Sequence, residues 1–478
     1  MYNFSMFASR LSIAFSAVLA LAGCETIHEA REAQKALEPM GFGLEEKSGK
    51  VCLRDYSLKE LVDYAMTNRP SVVAAALNVA DARLALREIV ANAPLVSKFP
   101  WNSPWLSASG GYSAAQVPGD DNGLRWQTEG NASAGISLEI LLYDFGRNDA
   151  QAMAQVERVI ESEHALVREG YTVFDEVSSA YFTMLEKDGL LEVAITNEME
   201  YAIHLQQAEA MLSAGEVQKL DVVNARARLF QAKQDVIAAS NEVVTSGAEL
   251  MRALGIDASR GSRSEVYPPS GEALSTLMRG FAKTGYDVDT AFQLARTNAP
   301  AMAIARARLR AASRSVDAAV ADLMPSVSAQ VGISWADPIW AWHWGVSAVQ
   351  SIFQGFRKVT AVDRAVVQMH IAATAVDEAE QTLTRELEGE IAVRDNAGKA
   401  WETAKATVAA AKEELDLAKA RYLEGDASRV DFTEAMSHYA TAQGSRITAF
   451  YATQRAEAKL FATMGNMPDY KEEGIHEK

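Results

Sequence analysis

Two halves of the chain repeat one another in register, and this duplication limits the possible folds more than any other feature. Tyr143-Asp144-Phe145-Gly146-Arg147 is answered 210 positions later by Phe353-Gln354-Gly355-Phe356-Arg357. Gly215 with Gly425, Asp221 with Asp431 and Gly255 with Gly465 keep the same offset of 210. Asn68-Arg69-Pro70 pairs with Asn298-Ala299-Pro300 at 230, so the second copy is 20 residues shorter and loses them between the proline and arginine landmarks. Chance does not hold one register over roughly a hundred residues, and the chain reads as two tandem copies of one unit.

Proline placement shows what each unit contains. None of the 12 prolines falls between Gly119 and Tyr267, or between Ile339 and Met467. Interior proline costs a helix about 3 kcal/mol, so such runs suit long helices. The composition predicts them over Asn148–Ser213 and Lys358–Leu423, each about 100 Å long at 1.5 Å per residue. Gly215 and Gly425 are placed to end them, and return helices are expected to reach about Leu254 and Met464. Trp401, Ala404, Val408, Ala411, Leu415, Ala418 and Tyr422 step three, four, three, four along the second unit. Val222, Ala225, Leu229, Ala232, Val236, Ala239, Val243, Ser246, Leu250 and Ala253 do the same in the first. Such a heptad seam calls for a partner helix in a left-handed coiled coil or a helical bundle, and alanine at so many seam positions implies close helix approach.

Between the helical stretches the period changes to two. Ile136, Leu138, Ile140 and Leu142 alternate with Ser137 and Glu139, in a strand starting near Trp126. Val327, Ala329, Val331, Ile333 and Trp335 alternate with Ser328, Gln330 and Ser334, and Trp340, Trp342, Trp344 and Val346 alternate with His343 and Ser347. Residues 104–117 make the fourth, less regular strand. Seven of the 8 tryptophans lie in or beside these segments, as expected of rings at the level of lipid headgroups. Four strands cannot close a barrel, and in hydrocarbon each unpaired backbone group costs several kcal/mol. Several copies must then share one barrel, with the polar strand faces lining water. His343 on such a face is expected to be wall rather than ligand.

Charge excludes other classes. The chain carries 46 Lys and Arg against 63 Asp and Glu, a net charge of -17, which is unsuited to holding phosphate backbones. No GxSxG, Walker loop, dinucleotide fingerprint or HExxH occurs, so neither an enzyme nor a cofactor or metal site is expected. The 16 methionines form no cluster. At the N-terminus Arg10 precedes an apolar run, Leu11 to Ala22, of signal-peptide length and too short to span a bilayer. It ends in Leu21-Ala22-Gly23-Cys24, which resembles the lipobox of bacterial lipoproteins, with Cys24 as the acylated residue and Glu25 favouring the outer membrane. Cys52 is then a single thiol of no functional weight.

The duplicated unit, the Asn-x-Pro near each start, the Tyr-Asp-Phe-Gly-Arg at the strand-to-helix junction and the Gly-x5-Asp-Val-x-Asn-Ala-Arg at the helix turn resemble the TolC-type outer-membrane efflux proteins, and the lipobox is most similar to their lipoprotein branch. The resemblance covers roughly residues 55–466. It implies a mainly α fold with a small β part: a homotrimer with a twelve-stranded barrel in the outer membrane and a twelve-helix periplasmic tunnel, docked to a periplasmic adaptor and an inner-membrane pump. It also implies a periplasmic gate. Asp221, Asp431 and Glu434 fall at acidic constriction positions and Tyr422 at a tyrosine of the closing network. The family's bonding arginine would fall at Ala427, so Lys219 and Arg429, each two before its aspartate, are the available partners. On helix starts, Asp221 and Asp431 are equally read as favouring the positive end of the dipole.

The resulting layout is a signal peptide over 1–23, a linker over 24–56, a first repeat over 57–255 with a hairpin near 104–142, a connector over 256–286, a second repeat over 287–466 with a hairpin near 326–352, and a polar tail over 467–478. Two functions fit: a passive exit duct of a tripartite efflux or secretion system, or a lipid-anchored periplasmic coiled-coil adaptor or structural protein. They part over the tryptophan-rich hairpins, which a duct places in lipid and an adaptor keeps wet.

Overall fold

The structure, a computed structural model, describes residues 57–95, 97, 105–118, 126–215, 217–256, 288–336, 339–423 and 429–466. The signal peptide, Cys24, the linker, Cys52, most of the connector, Gly425 and the tail lie outside the described residues.

Each repeat begins with two short helices hinged at the Asn-x-Pro motif. In the first, α1 (Leu58–Asn68) is opened by a capping box in which Ser57 and Glu60 satisfy each other's backbone N–H. Arg69 is extended, as a residue before proline must be, and Pro70 starts α2 (Pro70–Ala91), where its missing N–H costs nothing. The two strands β1 (Trp105–Pro118) and β2 (Trp126–Tyr143) follow, then the long helix α3 (Arg147–Ala214) and its return α4 (Lys219–Leu254). The second repeat supplies α5 (Val288–Asn298), α6 (Pro300–Ala321), β3 (Ser326–Ala336), β4 (Ile339–Val349), α7 (Arg357–Leu423) and α8 (Arg429–Met464). The helices α3 and α7 start 210 residues apart, as do α4 and α8. The shortening lies in the hairpin and its approach: β1 and β2 have 14 and 18 residues, β3 and β4 11 each. β4 ends three residues before the expected bound of 352.

The strand-to-helix junction is built by Asp144. Its buried carboxylate accepts from the Gly146 N–H at 3.2 Å and the Asn148 N–H at 2.8 Å, doing the work of an N-cap for α3. Asn148 Nδ2 in turn donates to the carbonyls of Ile89 and Asn92 at the end of α2.

The sheet is antiparallel in the order β1-β2-β3-β4, so the two repeats join through β2 and β3. The helices form two tiers. Beside the sheet, α2 packs on α3, α3 on α6 and α6 on α7; farther away, α4 packs on α3, α3 on α8 and α8 on α7. The main core lies between the tiers, where α1 and α5 cover the long helices over Phe174, Phe182, Leu250, Leu387, Tyr451 and Leu460. The heptad seams face inward as read: Ala404, Ala411 and Tyr422 on α7, and Val222, Ala225, Ala232 and Val243 on α4, are buried. No helix among the described residues is long and apolar enough to cross a membrane.

Candidate functional site

The register separates the sheet into two chemically distinct faces. Paired residues point to the same side of a sheet, so the pairs Ile136 with Ile333, Leu138 with Val331, Ile333 with Trp342 and Val331 with Trp344 form one apolar surface across three strands. Ser137, Gly332 and His343 form a row on the other face, and Glu139, Gln330 and Gly345 the next. Hydroxyl pairs tie this polar face together, Ser107 to Ser137 at 2.7 Å and Ser328 to Ser347 at 3.0 Å. Gly332 leaves room for the His343 imidazole to lie across it, and a Cβ there would displace that ring and come within 3.1 Å of the Ile136 carbonyl oxygen. Among the described residues nothing covers the apolar side chains of β4: Trp342 is 79% exposed and Trp344 83%. An 11-residue strand is about 37 Å long and, tilted near 45°, spans about 26 Å, the height of an outer-membrane apolar band.

The second site is the far end of the long hairpins. Gly215 ends α3 in the left-handed conformation, φ 82°, and Lys219 starts α4. Asp221 stands third in α4 and accepts from the Gln218 N–H at 3.0 Å, completing a capping box, so it does the helix-start work that its position allowed. Asp431 is third in α8. It shares an exposed face with Glu434, one turn on, while Phe432, Ala435 and Met436 point inward. Arg429 begins α8, and its side chain lies outside the described residues. Lys219 is exposed.

Tyr422 sits elsewhere than the acids. It is buried, its ring stacks on Phe432 at 5.3 Å between centroids and 9° between planes, and its hydroxyl meets Met211 Sδ at 3.7 Å. His204 of α3 is edge-on to both rings, 5.7 Å from Tyr422 and 5.3 Å from Phe432. Tyr201 and Ala232 complete this buried cluster with Met436. Burial pushes the Tyr422 phenol above its ordinary value, and desolvation does the same to Tyr201. His204, Tyr201 and Phe432 were not singled out in the sequence. A signal existed, since Tyr201, His204, Ala208 and Met211 step three, four, three along α3.

A family model described as outer membrane efflux protein matches residues 61–256 and 291–466, covering both repeats. The chain belongs to this family. Among relatives of this outer membrane efflux protein, the solvent efflux pump outer membrane protein SrpC of Pseudomonas putida is 22% identical over 430 residues, 87% of this chain and 86% of its own length. The probable outer membrane lipoprotein SilC of Salmonella typhimurium is 21% identical over 483 residues, 96% of this chain and 99% of its own. Of solved structures, a crystal structure of CusC superposes with a TM-score of 0.73 at 20% identity, covering 90% of this chain and 96% of that one. The channel MtrE of Neisseria gonorrhoeae in its open state gives 0.67 at 18%, covering 86% and 89%. At these identities the likeness concerns the fold, while the family model concerns the lineage.

Proposed function

We propose that this outer membrane efflux protein is one protomer of a homotrimeric exit duct crossing the outer membrane and the periplasm, passive and not an enzyme. The observation that carries this reading is a four-stranded sheet that, among the described residues, has a bare apolar face and two open edges, β1 and β4. Water disfavours such a surface by about 25 cal/mol per Å² of exposed apolar area, and lipid disfavours the unpaired backbone groups along its edges by several kcal/mol per group. Joining β4 of one copy to β1 of the next removes the second penalty, and lipid around the closed barrel removes the first. Three copies of four strands give a twelve-stranded barrel, and the helices below continue its wall as a tunnel.

The helical edges support the same closure. Beyond β1 lie α2, with Val73, Leu77 and Leu84 exposed, and α4, with Val223, Phe230, Ile237 and Val244 exposed at intervals of seven. Beyond β4 lies α7, with Val367, Ile371, Val393 and Leu417 exposed. Two unlike apolar edges suit a head-to-tail contact, which makes a ring where its rotation closes, here after three copies.

In this arrangement Cys24 carries the lipid anchor after removal of 1–23, and the linker leads to the first repeat. The far end opens into the periplasm, where an adaptor and an inner-membrane pump engage it. Asp431 and Glu434 of each copy line a narrow bore, attracting cations, with Asp221 on the equivalent turn and Lys219 and Arg429 as neighbouring cations. Relatives named for solvents, toluene and cations share the architecture, which suits a water-lined wall that does not read its cargo.

The test is purification from membranes resistant to carbonate and urea, followed by reconstitution in planar bilayers. The expected result is a heat-modifiable trimer that conducts, and whose block by multivalent cations weakens in the Asp431→Ala, Glu434→Ala double variant. Recovery as a water-soluble monomer after signal-peptide removal would reject the duct, and unchanged block would reject the acids as its constriction.

A further inference from the structure

We propose that the seam between neighbouring protomers is a copy of the seam between the two repeats of one chain, so that each contact from repeat one to repeat two recurs from repeat two to the next copy's repeat one. The proposal rests on the duct reading for the presence of a neighbour, and on the repeat for the residues that meet it.

The strands fix the register. Trp105 pairs with Glu139 as Ser326 pairs with Val349, so β1 corresponds to β3 at an offset of 221, while β2 corresponds to β4 at 210. Inside the chain β2 meets β3 with Glu139 opposite Gln330 and Ser137 opposite Gly332. Carried through the two offsets, these pairs place Val349 of β4 opposite the next copy's Ser109, and Ser347 opposite its Gly111. Both pairs join positions of the polar face, as the alternation of side chains along a strand demands. All four residues are exposed in the single chain.

The helices follow the same correspondence. Lys358 donates to the Asp322 carbonyl at 2.5 Å, and its counterpart Asn148 donates at 3.3 Å to the carbonyl of Asn92, the counterpart of Asp322. Arg147 of repeat one meets the Asp322 carboxylate of repeat two at 3.2 Å, and its own counterpart is Arg357. Arg357 is exposed, and among the described residues its side chain has no partner. Asn92 is exposed too; its Nδ2 donates to the Glu88 carbonyl, while its Oδ1 accepts nothing from the described residues. A neighbour seated as proposed brings Arg357 to Asn92. Farther along, α6 and α3 are joined by Arg308 with Glu161 and by Arg310 with Glu157. Their counterparts are Asn78 and Ala80 on α2, and Ile371 and Val367 on α7. Leu77, 42% exposed, likewise corresponds to Ala307, which is 0% exposed. The internal seam is therefore ionic where its copy is apolar, and the bare Leu77, Val367 and Ile371 fall where a neighbour covers them. Apolar burial suits a joint between separate chains, which has to hold without a covalent link.

Disulfide trapping in the full-length protein reads the register directly. Residues opposite each other on antiparallel strands have Cα atoms about 4.5–5.5 Å apart, which a disulfide bridges, and a slip of two residues moves them beyond its reach. Membranes carrying Val349→Cys with Ser109→Cys, in a Cys52→Ser background, are expected to give covalently linked trimers on mild oxidation. The yield should be roughly tenfold above that of Val349→Cys with Ser107→Cys or with Gly111→Cys. Preferential linking to position 107 or 111, or a trimer that links in none of the three, overturns the copied register and leaves the duct standing. A monomeric wild type sinks the duct reading, and the seam with it. Heat dissociation of the trimer in SDS reads the helical part. Asn92→Asp supplies at the copied seam the acid that Asp322 supplies inside the chain. It is expected to raise the dissociation temperature by roughly 3 °C more in the wild-type background than in Arg357→Gln, where it costs the Asn92 bond to Glu88 without gaining a pair. An equal effect in the two backgrounds overturns the pairing of Arg357 with Asn92.

Discussion

At Gly465 the fold has no room for a methyl group. The residue sits at φ 67°, and a Cβ there would lie 2.6 Å from the Asn298 carbonyl oxygen, at the hinge between α5 and α6. Its own carbonyl accepts from the Tyr171 hydroxyl at 2.7 Å, which fixes the end of α8 against α3. Gly255 repeats the arrangement against Arg69, whose Cα would be 3.1 Å from the added carbon. Gly465→Ala is expected to cost about 3 kcal/mol, combining left-handed strain with a backbone collision, and Gly255→Ala about 2. Thermal unfolding of the detergent-solubilised protein checks both, and equal, small losses would show that the close approach is not needed. These glycines were legible because the repeat displays them twice in one register. The junction motif was legible only in part. Phe145 and Gly146 both have positive φ, as do Gly355 and Phe356, so each copy places glycine at a different member of the strained pair. Asp144 has a second role invisible in the sequence, because the two N–H groups it accepts become its partners only once the turn forms. Asp144→Ala leaves the buried Asn148 N–H and the part-buried Gly146 N–H without it, and a loss of about 2 kcal/mol in the same melt is expected.

Among the elements, the seam between α7 and α8 carries an ionisable group in an adverse place. Glu390 accepts from the Thr463 hydroxyl at 2.8 Å through Oε1, while Oε2 is buried with no donor. Burial pushes its carboxyl up to about 7; Glu386 and Asp175 push the same way, and the Thr463 bond and Lys459 oppose them. The folded chain therefore holds this proton more tightly than the unfolded chain, whose ordinary value is 4.5. Stability from this group is full below that value and is lost as pH rises through about 7. The melting midpoint of wild type should accordingly fall between about pH 5 and about pH 8, and that of Glu390→Gln should hold level over the same window. Parallel slopes for the two proteins would show that the carboxyl is not the source. The seams themselves could be read from spacing, since a heptad period survives any tertiary context. Glu390 could not, because it looks like the solvated acids around it until α8 covers it. The same limit hid the partner of Tyr422: heptads state that a helix has a neighbour without stating which one, and His204 is more than two hundred positions away.

For the whole molecule, the decisive property is that its two edges differ. Phe230 and Ile237 on α4 are 60% and 62% exposed, and Val393 and Leu417 on α7 are 60% and 57%. On an isolated chain, exchanging such residues for glutamate is nearly neutral, since exposed helix positions accept it. In a closed ring the same exchange buries charge at every contact and splits the assembly. Phe230→Glu with Ile237→Glu should yield monomers of unchanged helix content by light scattering and circular dichroism, and Val393→Glu with Leu417→Glu should do likewise. Mixing the two variants distinguishes the symmetry. The α4 variant keeps a sound α7 edge and the α7 variant a sound α4 edge, so one good contact remains between them and cannot recur. A head-to-tail ring predicts that the mixture forms heterodimers and stops there. A self-complementary contact pairs each edge with its own kind, so it would be broken in every pairing that brings altered edges together and would leave no defined heterodimer. Trimers persisting in either variant alone would remove that edge from the closure, and with it the argument that the helical wall and the barrel are sealed by the same neighbour.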